Sequence, residues 1–427
     1  MFPMIKWAKD LFPICRSITG EGNRKTLSYF EKLNPEFKRL RFKTNQKVFD
    51  WIIPDEWEIK DAYIQHESGK KFAEFKKCNL HLVGYSIPVN KKMSKKELMN
   101  YIYTQKDQPD AIPYVTSYYK KRWGFCLSEK ERKKLPEGNY KVIIDSKLKK
   151  GHLDLSHALL KGKIKKEIFF SSYICHPSMA NNELSGPVLL NAIMLYIKKK
   201  YPKSKYSYRF VLLPETIGSI AYLSKFYKIM KSNIFCGFNL SCVGDEKAYS
   251  YQSSRKGNTI ADEALLASLI NLPNVIKYSF VLRGSDERQY CAPGIDLPVC
   301  GFSRSKKYPE NHTNKDDFNL VTNKGLTESF EVIKRIIDVL EFGIYPKSKI
   351  LGEPNLGRRG LYSSISQKNE AEFPNKNYLY DDSRVRTNLI AFSDGITNFF
   401  KIATLLKVPL DKLLKEYDVL RKAKILE

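Results

Sequence analysis

Short apolar runs alternate with longer amphipathic segments between residues 146 and 345. The run at 167–174 is almost entirely apolar, which is typical of a buried parallel strand. The segment at 186–200 carries its apolar residues on one helical face. The same patterns predict further strands at 208–214, 235–243, 278–282 and 297–302, and helices at 217–230, 260–270 and 326–342. This alternation predicts an α/β sheet with helices on both faces.

The flanking stretches differ in character. Residues 48–145 are rich in aromatics and short strand-like runs, with one helix expected at 94–104. That helix would open on Ser94 and Glu97, which have the spacing of a capping box. A breaker-rich linker follows at 345–364, and the tail at 376–427 has a helix-turn-helix pattern. We therefore predict an α/β domain from residues 1–47 and 146–345, an inserted β-rich domain at 48–145, and a C-terminal domain at 346–427.

Composition limits the class of protein. The chain has 427 residues, 42% of them hydrophobic and 28% charged, as in soluble globular proteins. Apolar runs stay shorter than the ~20 residues that span a bilayer. The first residues contain no uninterrupted apolar core of a signal peptide. We therefore expect a cytoplasmic protein. We expect no disulfide framework in so large a chain without secretion, and the eight cysteines form no CxxC pair.

The net charge of +27 has two interpretations. A basic surface attracts nucleic acids and anionic membranes. The other interpretation is a lysine-rich composition without a specific partner. We favour it because lysine far outnumbers arginine, and arginine is the residue that phosphate sites prefer. The second tail helix carries Lys412, Lys415 and Glu416, a mixed face that argues against DNA binding through the tail. Such a tail also suits a contact between copies of the chain.

Polar side chains follow several of the predicted strands. His176 comes after the run at 167–174, and Glu215 follows the run at 208–214. Asp286 and His312 lie on later loops of the same kind. Ligands of α/β sheets bind beyond the carboxyl ends of the strands. Two histidines with acids on such loops suit a zinc site, with Glu215 taking a proton from water. A lone histidine at a strand end is more often a surface or capping residue, so spacing alone is a weak signal.

Candidate substrate-binding residues lie in two segments. Arg283 and Arg288 flank Asp286, and could clamp a carboxylate or phosphate or form a structural Arg–Asp pair. Tyr118, Tyr119 and Arg122 lie in the segment SYYKKRWGF. This segment suits stacking on a sugar or peptide, although dense aromatics more often form core.

The motifs HPSMANNELSG, LPETIGS, FNLSCVGD, RGSDERQY and PENHTNKDD occur in the order of an M28-type zinc aminopeptidase. Together with matches along nearly the whole chain, they resemble a divergent branch, the aminopeptidase-like domain proteins of polysaccharide biosynthesis loci. The resemblance implies a phosphorylase/hydrolase-like mixed sheet flanked by helices, with an inserted mostly-β domain and a C-terminal winged-helix-like domain.

The resemblance also implies roles for site residues. His176 and His312 match the histidine ligands of zinc, and Glu215 matches the general base. Asn182 occupies the position of the bridging aspartate. Thr216 and Ser241 stand where two further carboxylates are expected. Neutral side chains cannot balance two dications, so we expect one zinc ion or none. Asn182 and Asp286 are the further candidate ligands, with Glu310 as another unaligned acid.

Three functions follow from this interpretation. The leading one is a metal-dependent amide hydrolase, aminopeptidase-like or an N-deacylase, acting on a small-molecule, peptide or sugar-linked substrate. In it, water activated by the metal attacks the carbonyl while Glu215 shuttles protons. The alternative is a catalytically inactive protein of the same fold that binds a glycan or peptide. The third is nucleic-acid binding through the winged-helix-like tail.

Overall fold

The structure is a computed structural model that describes residues 2–362 and 382–427. The expected end of the linker and start of the tail helices fall partly on 363–381, outside the described residues. The strands, in chain order, are β1 (Lys38–Lys43), β2 (Lys47–Val48), β3 (Trp51–Ile52), β4 (Glu56–His66), β5 (Lys71–Phe72), β6 (Val89–Ser94), β7 (Ile102–Tyr103), β8 (Phe125–Cys126), β9 (Asn139–Lys149), β10 (His152–Leu160), β11 (Glu167–Tyr173), β12 (Ser207–Leu213), β13 (Ile234–Leu240), β14 (Tyr249–Gln252), β15 (Val275–Tyr278) and β16 (Val299–Ser303).

Helices flank these strands throughout the described chain. They are α1 (Met4–Leu11), α2 (Glu21–Leu33), α3 (Lys95–Leu98), α4 (Glu129–Lys133), α5 (Ser185–Lys200), α6 (Ile217–Asn233), α7 (Ile260–Ser268), α8 (Glu287–Tyr290), α9 (Asn323–Phe342), α10 (Asp382–Ala391), α11 (Phe399–Leu406) and α12 (Leu410–Lys422). A π-helical turn at Ala180–Leu184 leads directly into α5.

An eight-stranded mixed sheet forms the centre, in the order β1-β10-β12-β11-β13-β16-β14-β15. Its four middle strands, β12, β11, β13 and β16, run parallel, and antiparallel strands extend it on both sides. Phe170 of β11 pairs with Phe210 on one side and Phe238 on the other, and the three rings stack. Every residue of β11 and β12 is buried, as expected for parallel strands covered on both faces.

The two faces of the sheet carry different partners. One core contains side chains of α1, α5, α7 and α9, and it continues into the C-terminal helices. The other contains α6 together with a second sheet of order β5-β4-β9-β6. The predicted fold class is confirmed: a mixed sheet lies between helices, with an added β-rich part. Strand β9 continues past residue 145, and the division into domains at 48, 145 and 345 stays a prediction.

Most elements expected in the α/β part form within a few residues of their predicted bounds. They are strands β11, β12, β13 and β16, and helices α5, α6, α7 and α9. The strand expected at 278–282 is wrong. The strand ends at Tyr278, and Phe280–Leu282 is a 3-10 turn. Val281 is 80% exposed, so this apolar run lies on the surface and does not form a buried strand.

The helix expected at 94–104 is shorter than predicted. Ser94 and Glu97 do form the capping box, but the helix ends at Leu98. A 3-10 turn follows, and then strand β7 pairs with β8. Within residues 2–362 and 382–427, none of the helices combines the length and apolarity that crossing a bilayer requires.

Candidate functional site

The parallel strands bring distant polar residues to one edge of the sheet. His176 follows β11, Glu215 follows β12, and Ser241 follows β13. His312 lies on the loop after β16. Because these four strands are parallel neighbours, their carboxyl ends meet at the same edge. The topology therefore explains how residues more than a hundred positions apart become neighbours.

The two histidine rings lie side by side. Their centroids are 5.3 Å apart and their planes are inclined by 32°. Nε2 of His176 lies 3.9 Å from Oε2 of Glu215. Two imidazoles and one carboxylate thus lie near one another at the edge of the sheet.

A buried ion pair holds the ring of His176. Oε2 of Glu183 lies 2.8 Å from Nδ1 of His176. Arg16 Nε lies 3.6 Å from Glu183 Oε1 and donates to the carbonyl oxygen of His176 at 3.1 Å. With Nδ1 engaged, Nε2 is left facing Glu215. Histidines that bind metals are commonly oriented by a carboxylate in this way. The sequence analysis did not identify Glu183 as part of the site. Glu183 stands seven residues after His176, and the only sequence feature that links the two is that both lie in the same polar turn.

Both histidines are neutral at neutral pH. Burial, with a smaller effect from the nearby Arg16, lowers the pKa of His176 to about 3. His312 is exposed as a residue, but its ring packs against neighbours. That partial burial lowers its pKa to about 4, with a smaller effect from His176. A neutral imidazole keeps the lone pair that a metal ion needs.

Glu215 sits in a strained turn. Burial, with a smaller effect from the nearby Asp286, raises the pKa of Glu215 to about 8. The next residue, Thr216, has a φ of 65°, which is unusual for a β-branched residue. Oδ1 of Asp286 accepts hydrogen bonds from the Thr216 N–H and the Ser219 hydroxyl, both at 2.8 Å. Asp286, which the sequence suggested as a metal ligand, therefore holds the turn that presents Glu215.

Asn182 brings an unsatisfied oxygen to the site. Its Nδ2 donates to Oδ1 of Asn311 at 3.2 Å, whereas its own Oδ1 is buried without a hydrogen-bond partner. Its backbone is fixed by Asp316, whose carboxylate accepts from the N–H groups of Asn181 and Asn182. A buried carbonyl without a donor costs about 1–3 kcal/mol, so this oxygen is suited to a ligand.

A cavity of about 170 Å³ opens at this point. Its wall includes Asn182, Glu215 and His312 of the candidate site, but not His176. It is lined by Tyr173, Asn182, Glu215, Asn239, Ser241, Cys242, Gln252, Gly284, Ser285, Glu287, Gly301, Ser303, Lys306, Asn311 and His312.

A second possible donor set lies behind His176. Among the described residues, Cys175, His176 and Glu183 are the one triad whose donor atoms all lie within 4.8 Å of one another. All three are buried, and the set uses the Nδ1 side of the ring that Glu183 already occupies. Burial raises the pKa of the Cys175 thiol well above its usual value, so the thiol stays protonated. This triad orients His176 and does not fit a metal ion.

The donor types beside the cavity suit one divalent ion: His176 and His312 offer nitrogen, Asn182 offers the orphaned oxygen, and Glu215 lies next to them as a candidate base. In this structure the donor atoms of His176, His312 and Glu215 do not all lie within 4.8 Å of one another, so they are not at the spacing of a closed ligand set. A second ion does not fit, because Thr216 and Ser241 are neutral where it would need carboxylates.

The inserted part of the chain covers the site. The ring of Tyr114 packs edge-on against His176 at 5.2 Å and against His312 at 5.5 Å, measured between centroids. Its N–H donates to the carbonyl oxygen of His312 at 2.8 Å, and Pro113 forms a bridge with Thr313. Tyr114 was missed, because nothing in the local pattern links residue 114 to residue 312.

The two expected tyrosines lie in different places. Tyr118 lies beside the site, with its hydroxyl 3.1 Å from that of Tyr114. Tyr119 points elsewhere: it is 57% exposed and its hydroxyl donates to the carbonyl of Ile52 at 2.8 Å. Only the first of the pair therefore lies near the histidines, through its contact with Tyr114.

The expected arginines do not form a clamp. Arg122 donates to the carbonyl of Thr116 at 2.7 Å and supports its own loop. Arg283 is exposed and lies over the ring of Phe280, away from Asp286. Arg288 binds the hydroxyl of Thr216 and helps to fix the turn after Glu215.

The fold and the site together define an aminopeptidase-like protein. Residues 5–343 match the family described as a domain of unknown function (DUF4910), and residues 344–427 match a winged helix-turn-helix. The chain belongs to this family, and it carries a C-terminal winged-helix domain.

Relatives give the same assignment. A curated Clostridium acetobutylicum protein, named as a candidate polysaccharide biosynthesis protein with an aminopeptidase-like domain, is 40% identical over 372 residues. That match covers 86% of this chain and 84% of the relative. A crystal structure described as a candidate peptidase from Clostridium acetobutylicum is 34% identical, with a TM-score of 0.88. It covers 99% of this chain and 95% of that one.

More distant structures share the fold alone. The zinc aminopeptidase BSAP of Bacillus subtilis is 12% identical with a TM-score of 0.57, covering 80% of this chain and 95% of that one. The aminopeptidase of Aneurinibacillus sp. strain AM-1 is 13% identical with a TM-score of 0.51, covering 79% and 93% respectively.

Proposed function

We propose that this protein is an amide hydrolase that depends on one zinc ion. The observation that carries the proposal is the meeting of His176, His312 and Glu215 at one edge of the sheet, with His176 oriented by a buried carboxylate. His176, His312 and Asn182 would hold the ion, with Glu215 beside it. When bound, such an ion polarises the substrate carbonyl and makes a water molecule easier to deprotonate.

Glu215 carries the proton in this proposal. Its carboxylate takes a proton from the attacking water as the new C–O bond forms. It then gives that proton to the amide nitrogen as the C–N bond breaks, so that the products are a carboxylic acid and an amine. The raised pKa of Glu215 suits both directions of transfer near neutral pH. Tyr114 covers the two imidazoles and limits the access of bulk water.

The substrate we propose is a sugar-linked or peptide amide. The name of the Clostridium acetobutylicum relative, a polysaccharide biosynthesis protein, supports the sugar-linked class. The names of the more distant aminopeptidases support the peptide class.

A second candidate is a protein of this fold that binds such a ligand without cleaving it. One observation favours it, since Asn182, Thr216 and Ser241 replace three carboxylates that the aminopeptidase resemblance leads one to expect. Under this hypothesis the protein binds its ligand but releases no product.

The test is a comparison of Glu215→Gln with Glu310→Gln. Glu310 lies on the same loop as His312 but pairs with Lys247, so it serves as a matched control. The assay measures release of free amine from an N-acetylated amino sugar and from an aminoacyl anilide. We expect Glu215→Gln to lower kcat by roughly 10²–10⁴-fold, as for loss of a general base, with zinc content unchanged. The control should stay within about twofold. Equal activity of wild type and Glu215→Gln would refute the role of Glu215 as the general base, and no activity in zinc-loaded wild type would favour the binding hypothesis.

A further inference from the structure

A second cavity lies beside the candidate site and has no role in the function proposed above. Its volume is about 620 Å³, within the range of ~300–1,000 Å³ typical of small-ligand sites. Trp51, Ile52, Tyr118 and Tyr119 supply its aromatic and apolar wall, and Asp50 and Lys121 are among the polar residues at its edge. We call it the Trp51 cleft.

The cleft exposes large apolar side chains that are held in place. Trp51 is 38% exposed, Ile52 52% and Tyr119 57%. Tyr119 is tied to the β2–β3 hairpin by its hydrogen bond to the Ile52 carbonyl, and its ring meets that of Trp51 edge-on at 6.1 Å. Phe49, in the turn of the hairpin, packs against Tyr227 of α6 at 5.9 Å. Exposed apolar side chains that form one contiguous patch, unlike those that occur singly, mark an interaction site.

The chemistry of the wall selects the kind of occupant. Aromatic faces need an apolar partner, whereas Asp50, Lys120 and Lys121 at the edge are exposed and offer hydrogen bonds. A pyranose ring has both features, since its C–H face packs on an aromatic ring while its hydroxyls point outward. A flat protein partner would not need a concave site of this size, and a purely apolar ligand would leave the charged edge without partners.

The cleft lies beside the candidate site, although the two cavities share no lining residue. Tyr118 lines the cleft, and the Tyr118 hydroxyl meets that of Tyr114, whose ring packs on His176 and His312. This tyrosine pair therefore links the wall of the cleft to the two histidines.

We propose that the Trp51 cleft binds a pyranose ring. This goes beyond the proposed function, because the cleft lies beside the candidate site and shares no lining residue with its cavity. The binding step itself needs no catalysis and can be tested separately.

Tryptophan fluorescence gives a direct readout. The chain has four tryptophans, and Trp51 is exposed whereas Trp7, Trp57 and Trp123 are buried. Quenching by acrylamide therefore reports mainly on Trp51. The experiment uses the full-length chain with Glu215→Gln, which prevents hydrolysis, and three probes: N,N'-diacetylchitobiose, cellobiose and lactose.

We expect at least one of these sugars to protect Trp51 from quenching in a saturable way. Tyr119→Ala should weaken that binding by about tenfold, as for the loss of one stacking face. Val281→Ala removes an exposed apolar side chain outside the cleft, and should leave the affinity within about twofold. Trp51→Phe should remove the signal and so confirm its source.

Three outcomes would overturn the proposal. They are the absence of protection by all three sugars, equal protection by dialanine, and protection that grows with protein concentration alone, which would indicate a contact between copies of the chain. Saturable sugar binding by a wild type that hydrolyses no amide would contradict the proposed function but support the cleft.

Discussion

The ion pair between Arg16 and Glu183 should be one of the strongest single contributions to the stability of the site. Both side chains are fully buried, and the nearest charged atoms are 3.6 Å apart. Burial outweighs the opposing effect of Arg16 and raises the pKa of Glu183 to about 8, which by itself would favour the protonated acid. We take the pair as charged, because a guanidinium does not lose its proton and Arg16 pairs with no other carboxylate in the described part of the chain.

The perturbation is Glu183→Gln, which keeps the size of the side chain and an oxygen for His176. At an effective dielectric constant of ~20, two unit charges at this distance attract by about 4–5 kcal/mol. Removing one partner of a buried pair costs about 3–5 kcal/mol, because the other charge stays buried without compensation. We therefore expect the free energy of unfolding to fall by about 3–5 kcal/mol.

The assay is a double-mutant cycle with Arg16→Met, followed by urea unfolding of metal-free protein. Removing the metal ensures that a change in ion affinity does not add to the result. The double variant should recover much of the loss, with a coupling energy of about 3 kcal/mol. The exposed pair Lys6–Asp10 is the control, for which we expect about 0.3–0.5 kcal/mol. A small, additive effect of Glu183→Gln would mean that Glu183 is protonated, and would refute the reasoning.

Three further predictions concern other parts of the structure. Glu183→Gln should weaken zinc binding by roughly 10–100-fold in a chelator competition, because the carboxylate orients His176; unchanged affinity would deny it that role. Phe170→Ala should lower the free energy of unfolding by about 3–5 kcal/mol, since the ring is fully buried between those of Phe210 and Phe238, whereas the exposed Ile396→Ala should change it by less than about 0.5 kcal/mol. Burial raises the pKa of Glu56, but Arg24 outweighs this and holds it below its usual value, so the carboxylate stabilises the fold above the ordinary carboxyl pKa. The stability difference between wild type and Glu56→Gln should therefore shrink as the pH falls below about 4, and a constant difference would contradict the assignment.

The sequence was informative where local pattern and structure coincide. Strands β11, β12 and β13 are buried on both faces, so they appear as continuous apolar runs. Strand β1, with the sequence KRLRFK, has mostly exposed residues at the edge of the sheet and shows no such run. His176 and Glu215 could be proposed because each follows a recognisable strand, and parallel strands bring their ends together.

The remainder of the site depends on contacts between distant segments. Glu183 reaches His176 through a π-helical turn, whose spacing helical periodicity does not predict. Tyr114 reaches both histidines because the inserted part pairs with the loop of His312. Asp286 turned inward to hold the turn after Glu215, a role that its position in the sequence does not distinguish from metal binding.

The central claim is that His176 and His312 share a single divalent ion. Elemental analysis of protein purified without chelators and supplied with zinc tests it most directly. The control is His152→Ala, a half-buried histidine outside the site. We predict close to one zinc ion per chain in wild type and control, and none in the folded His176→Ala/His312→Ala variant. A folded wild type that retains no zinc, or that binds two ions, would contradict the account.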